Sequence, residues 1–266
     1  MSSETGGEKR GAPTAAAAVK EVLRPWRPFE ITWLAVFCLI ALILTWWSKD
    51  TWLGFTAFIT GVVCVVLTAK GSIWSFWWGY VNILTYAGVA YANGLYGEMG
   101  LNLLFFLPST IVGLFMWRRN MKTAGHLVMR RLARSWHLAL AVMCLIATVA
   151  LGWGLSRIAG QNTPYIDALT DVLSIAATLL MVWRFREQWA CWLTLDVFTV
   201  LMWSLRWAAG SPEGALMTTM WSAYLINAVY GWYNWSRGAE EETAACIRTA
   251  RRGENSRRFF AADGNR

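Results

Sequence analysis

Apolar residues gather in eight long stretches broken by short polar or charged turns, at 30–48, 52–69, 73–95, 98–118, 136–156, 164–183, 187–209 and 214–236. A helix rises about 1.5 Å per residue and the hydrocarbon core of a bilayer is about 30 Å thick, so roughly 20 apolar residues span it. The pattern therefore predicts an all-α, polytopic membrane protein with eight transmembrane helices. Residues 1–29 read as a mobile basic cytoplasmic leader, because the alanine run from Ala15 to Ala18 is too short for a signal-peptide core. Residues 237–266 read as a solvated cytoplasmic tail, with Glu240–Glu242 followed by five arginines from Arg248 to Arg258.

The stretches repeat. Trp78 and Asn82 return as Trp192 and Asp196, 114 positions on (192 − 78 and 196 − 82), and Gly113-Leu114-Phe115-Met116-Trp117 returns as Gly231-Trp232-Tyr233-Asn234-Trp235. One three-helix repeat covers 52–118 and the other 164–236, with 136–156 as a linker helix between them and 30–48 as an extra transmembrane helix outside. Three spans invert a second copy, and the linker turns it back, so the repeats are expected to run parallel.

Charge tests the topology. With eight spans, 21 of the 24 basic residues fall on one side, including the leader, Lys70, the basic cytoplasmic loop at 119–135, Arg184, Arg186 and the tail. Only Lys49, Arg157 and Arg206 fall on the other. Cytoplasmic loops collect Lys and Arg, so both termini are expected in the cytoplasm. The net charge of +8 is thereby explained by topology and anionic lipid, without nucleic acid. A composition of 56% hydrophobic and 15% charged residues, with mean hydropathy +0.38, leaves no separate soluble catalytic domain.

Polar residues inside spans are the best functional pointers, since burial in hydrocarbon is costly without a cavity or partner. Asp196 is the one acid near mid-span. Residues four apart share a helix face, so Trp74, Trp78, Asn82 and Tyr86 form one stripe and Gln188, Trp192 and Asp196 another, flanked by Trp189; Asn227 and Tyr230 add a third. For Asn82 and Asn227, hydrogen bonding between helices is the rival reading. Span-end tryptophans, among them Trp46, Trp47, Trp52, Trp117, Trp136, Trp153, Trp183, Trp207 and Trp235, fit an interfacial aromatic belt. Pro108 removes a backbone hydrogen bond and predicts a static kink, while Thr163-Pro164 with Asp167 and Asp171 predicts a helix start.

Chemistry of other kinds finds no residues. Nucleotide-binding glycine loops, hydrolase elbows and zinc-protease motifs are missing, which argues against an enzyme and leaves no catalytic residues, metal or cofactor to assign. The five cysteines lack metal or redox spacing, and His126 and His137 merely flank the basic segment.

The stretch from Gln188-Trp189 through Trp192 and Asp196 to Asn227, Tyr230 and the Trp-rich ending resembles the PnuC family of bacterial nicotinamide riboside transporters. Trp78-Gly79-Tyr80-Val81-Asn82 and Leu95-Tyr96-Gly97 resemble it as well, so the likeness spans roughly 52–236. It implies a SWEET-like fold of three, one and three helices in the bacterial inner membrane. It further implies facilitated diffusion of nicotinamide riboside, which phosphorylation traps inside the cell, and a substrate site at Gln188, Trp189, Trp192, Asp196, Asn227 and Tyr230. Adding Trp78, Asn82 and Tyr86 from the first repeat gives an aromatic and polar site suited to that ligand. Indole and phenol faces attract a pyridinium by about 0.5–2 kcal/mol per contact, and Asn, Gln and Asp pair amides and hydroxyls. With no basic residue at mid-span, the mononucleotide is expected to be rejected. A membrane receptor or embedded enzyme using the same pocket is the alternative, and a homo-oligomer is compatible with the sequence.

Overall fold

The structure is a computed structural model that describes residues 26–48, 52–92, 96–121, 127–157, 164–210 and 214–263. Most of the expected leader lies outside them, as do Lys49, His126 and Thr163. The fold is all-helical. Helices α1 (Pro28–Ser48), α2 (Trp52–Lys70) and α3 (Trp74–Ala92) come first. Helix α4 covers 96–119 in three pieces, Tyr96–Leu101, a π-helical turn at Asn102–Phe106, and Leu107–Arg119. Then follow α5 (Arg134–Leu155), α6 (Pro164–Val182), α7 (Gln188–Ala208) and α8 (Gly214–Asp263). Within the described residues, Trp52–Lys70, Met99–Arg119, Arg134–Leu155 and Pro164–Val182 are long and apolar enough to cross a bilayer.

The π-turn comes immediately before Leu107-Pro108, where the sequence predicts a kink. The Leu107 N–H reaches back to the Asn102 carbonyl, and Pro108 then opens a new α-helical segment, where its missing N–H breaks no bond.

The two triples share local devices. At the α2–α3 turn, Gly71 has φ 71°, with its N–H bonding the Thr68 carbonyl and that of Ser72 the Leu67 carbonyl, both at 2.9 Å. At the α6–α7 turn, Arg184 has φ 66°, and the N–H groups of Arg184 and Phe185 bond the Met181 and Leu180 carbonyls at 2.9 and 2.8 Å. Both are helix C-caps closed by a left-handed residue. They lie 113 positions apart (184 − 71), one short of the 114 read from the tryptophans. Counted from the turns, Asp196 matches buried Ile83, about 100° around the helix from Asn82's place.

The closing motifs build two reciprocal seams. Helix α4 packs on α6, and α8 packs on α2. Gly113 lets Phe76 approach, since a Cβ there would sit 2.7 Å from its ring; Gly231 lets Trp189 approach, with three ring atoms at 2.5 Å from such a Cβ. Four residues beyond each glycine, Trp117 Nε1 donates to the Met181 carbonyl at 2.9 Å and Trp235 Nε1 to the Thr68 carbonyl at 3.0 Å. Their rings meet with centroids 5.6 Å apart. Trp117 and Trp235 are fully buried, so they do not belong to the aromatic belt, whereas Trp46, Trp52, Trp136, Trp153, Trp183 and Trp207 are exposed as a belt requires.

Two further expectations change. Much of the basic loop is packed: Leu127 and Met129 enter the core beside Ala69, Trp117, Trp235 and Ala239. Residues 128–132 form a strap over the α6–α7 turn, through Arg130 N–H to Arg184 O at 2.8 Å, Arg186 N–H to Arg130 O at 3.0 Å, and Leu132 N–H to Glu187 Oε2 at 3.0 Å. Arg184 Nη1 donates to the Val128 carbonyl at 3.1 Å. Burial, and secondarily the neighbouring Arg130 charge, lower the pKa of the Arg184 guanidinium. The tail, moreover, is not a separate piece, because α8 continues through it to Asp263 without a break.

Candidate transport chamber

Between α2, α3, α7 and α8 several polar side chains converge. Gly61 on α2 marks the place: a Cβ there would lie 3.0 Å from Asn82 Nδ2 and 3.1 Å from the Tyr224 hydroxyl. That hydroxyl also feels Cys64, Asp196 and Tyr86 electrostatically, which brings α3 and α7 to the same locality. Asp196 is only 3% exposed, and no described side chain hydrogen-bonds its carboxylate. An acid so placed keeps its acceptor capacity for something else.

Aromatic surfaces adjoin. Trp192 and Trp221 pack against the cluster of Leu173, Ala177, Leu180, Cys191 and Leu195, and Trp221 meets Tyr224 edge-on at 5.5 Å between centroids. Each asparagine spends one donor on a neighbouring helix, as the rival reading expected: Asn82 Nδ2 bonds the Ala57 carbonyl at 2.7 Å, and Asn227 Nδ2 bonds that of Val65 at 3.2 Å.

The structure thus brings Asn82, Tyr86 and Asp196 together, with Trp192 beside them, but not every residue of the expected set. Trp189 is buried in the core under Gly231, against Trp235. Gln188 is fully buried at the start of α7; its Nε2 donates to the Phe185 carbonyl at 3.3 Å, and its Oε1 has no partner. The Tyr230 hydroxyl is held by Glu30 at 2.6 Å. Trp78 is 40% exposed on α3. Sequence reasoning missed Tyr224 and Trp221, which lie three and six residues before Asn227; Tyr224 was findable as the polar aromatic one turn before Asn227 on a shared face.

Eight helices among the described residues, four of them long and apolar enough to cross a bilayer, and a buried acid with aromatic rings near α2, α3, α7 and α8 fit a polytopic membrane transport protein. A family model described as nicotinamide mononucleotide transporter matches residues 51–237. The chain belongs to that family, the PnuC transporters of the bacterial inner membrane, and is accordingly not an enzyme. It is 36% identical over 224 residues to the nicotinamide riboside transporter PnuC of Neisseria mucosa, covering 82% of this chain and 84% of the relative. The PnuC of Haemophilus influenzae, also named a nicotinamide riboside transporter, is 34% identical over 228 residues, covering 84% of this chain and 97% of the relative. A crystal structure of the vitamin B3 transporter PnuC superposes with a TM-score of 0.72 at 33% identity, over 86% of this chain and 99% of that one.

Proposed function

We propose that this chain carries nicotinamide riboside across the inner membrane by facilitated diffusion, binding it between two parallel three-helix repeats. The carrying observation is the convergence of Asn82, Tyr86, Asp196 and Tyr224 around Gly61, with Trp192 and Trp221 alongside. Trp192, Trp221 and Tyr224 offer π-faces for the cationic pyridinium, and Asp196 and the asparagine carbonyls offer acceptors for the carboxamide and ribose hydroxyls. Asn227, bonded to the Val65 carbonyl one turn from Gly61, borders this centre, whereas Gln188, Trp189, Tyr230 and Trp78 stand outside it.

The parallel arrangement is supported by the reciprocal seams, in which the last helix of each triple packs on the first helix of the other. Eight spans with both termini in the cytoplasm follow from the charge segregation and suit the clustering of both turns, the strap and the start of the tail at one end. The riboside is favoured over the mononucleotide because the sequence places no Lys or Arg at mid-span, where a phosphate would need one.

Proteoliposomes holding the purified protein should take up labelled nicotinamide riboside down its gradient without ATP, and the mononucleotide should not compete. Uptake that tracked an imposed proton or sodium gradient would sink the passive mechanism. Trp192→Ala and Asp196→Asn should each weaken riboside binding about tenfold in a titration, the equivalent of about 1.4 kcal/mol. Unchanged binding in both variants would remove this site.

A further inference from the structure

Helix α1 lies outside the family-matched residues, yet it meets the repeats at a buried polar point. Glu30, 2% exposed, accepts from Lys70 Nζ at 2.9 Å and from the Arg27 N–H at 3.0 Å through Oε2, and from the Tyr230 hydroxyl at 2.6 Å through Oε1. Lys70 is the last residue of α2 and Tyr230 lies on α8. One carboxylate therefore joins the first helix of one triple to the last helix of the other. Apolar rings shield it: Trp26 faces the Lys70 ammonium at 4.1 Å, and Phe29 packs on Tyr230 at 5.3 Å between centroids. In such surroundings the pair persists only while each charge keeps its partners.

The same end of α2 carries two more ties to α8, from Asn234 Nδ2 to the Ala69 carbonyl at 2.8 Å and from Trp235 Nε1 to that of Thr68. At the α4–α6 seam, Trp117 Nε1 makes the corresponding side-chain bond. Glu30 thus adds to the α2–α8 seam a tie from a helix outside both triples.

We infer that Glu30 is a positioning residue for transport. It fixes the Tyr230 hydroxyl and pins α8 to α2, so that α1, α2 and α8 travel as one body and the triples part at the α4–α6 seam. This rests on the transport reading above. Glu30 acts through Tyr230 and Lys70 and touches no substrate.

The test uses E30M/K70M, which removes both charges together and strands neither, with Y230F and the triple variant, all in the full-length protein. In proteoliposomes, E30M/K70M and Y230F should each lower the maximal uptake rate of nicotinamide riboside per folded molecule by about tenfold, the size of one strong hydrogen bond, while KM stays within about threefold. The triple variant should be no slower than either. A merely structural role predicts lower melting temperatures with unchanged uptake per folded molecule, and that result overturns the inference, as does a triple variant whose loss is the product of the other two. Hydrogen exchange without substrate gives a separate reading: amides at 65–70 and 224–235 should exchange faster in E30M/K70M and Y230F. Unchanged exchange there defeats the brace even if uptake falls. A wild-type protein that carries no nicotinamide riboside defeats the transport reading and leaves the exchange comparison to judge the brace.

Discussion

The α4–α6 and α2–α8 seams begin from the same five-residue arrangement, a glycine that admits an aromatic ring and a tryptophan that caps the facing helix. They end up fastened differently. At α2–α8, Asn227, Asn234 and the Glu30 cluster join Trp235, while at α4–α6 Trp117 reaches the Met181 carbonyl. The motif specifies where two helices touch. How firmly they hold is set by residues other than the glycine and the tryptophan, among them Asn234 inside the second motif and Glu30 on a helix outside the repeat.

The glycines give the largest expected contrast. A methyl group at position 231 would meet three atoms of the Trp189 indole at 2.5 Å, and that ring is packed too tightly to swing aside; at position 113 the nearest atom is Phe76 Cε1 at 2.7 Å. Gly231→Ala should therefore lose about 3 kcal/mol of stability and Gly113→Ala about half that, read from thermal unfolding in detergent. Equal losses would mean that the two approaches are equally tight after all.

Next come the capping tryptophans. Trp117→Phe and Trp235→Phe each remove one of two donors from a helix-end carbonyl, which keeps the N–H of its turn, a loss of about 0.5–1.5 kcal/mol. Hydrogen exchange should rise more at 178–182 in Trp117→Phe than at 65–70 in Trp235→Phe, because neighbouring bonds still hold the second seam. The reverse order would show that Asn234 and Glu30 add little.

The smallest effect concerns the paired turns. Arg184 holds a left-handed backbone that costs an L-residue about 1–2 kcal/mol, where the matching turn uses Gly71. Arg184→Gly relieves that strain but loses the bond to Val128, so its stability should stay within about 0.5 kcal/mol of the parent. A loss above about 2 kcal/mol would show that the strap depends on this guanidinium more than on its backbone pairing.

Much of this was legible in the sequence, because span length and the 3.6-residue period are written locally. The eight helices came from that pattern, and so did the proposal that Asn82 and Asp196 mark a site between two repeats. What escaped was set by contacts between segments far apart in the chain. Lys70 counted only as a cytoplasmic-side charge and Glu30 only as the first position of a span, since nothing local says that they meet across 40 positions. Trp117 and Trp235 read as belt residues because a span-end tryptophan looks the same whether it faces lipid or another helix. The register of the repeat slipped by one residue because tryptophan spacing was visible and the left-handed turns were not.

The unbroken course of α8 has a mechanical side. Fifty residues at about 1.5 Å each make a rod of about 75 Å, against a hydrocarbon core of about 30 Å. Where it leaves the bundle, Gly238 rests against Met129 of the strap, which serves as a fulcrum. Past that pivot the rod magnifies angle into displacement: a tilt of about 10° in the span carries a point about 35 Å beyond it through about 6 Å. The exposed Cys246 rides on this lever, so the protein carries its own protractor for the tilt of its last helix.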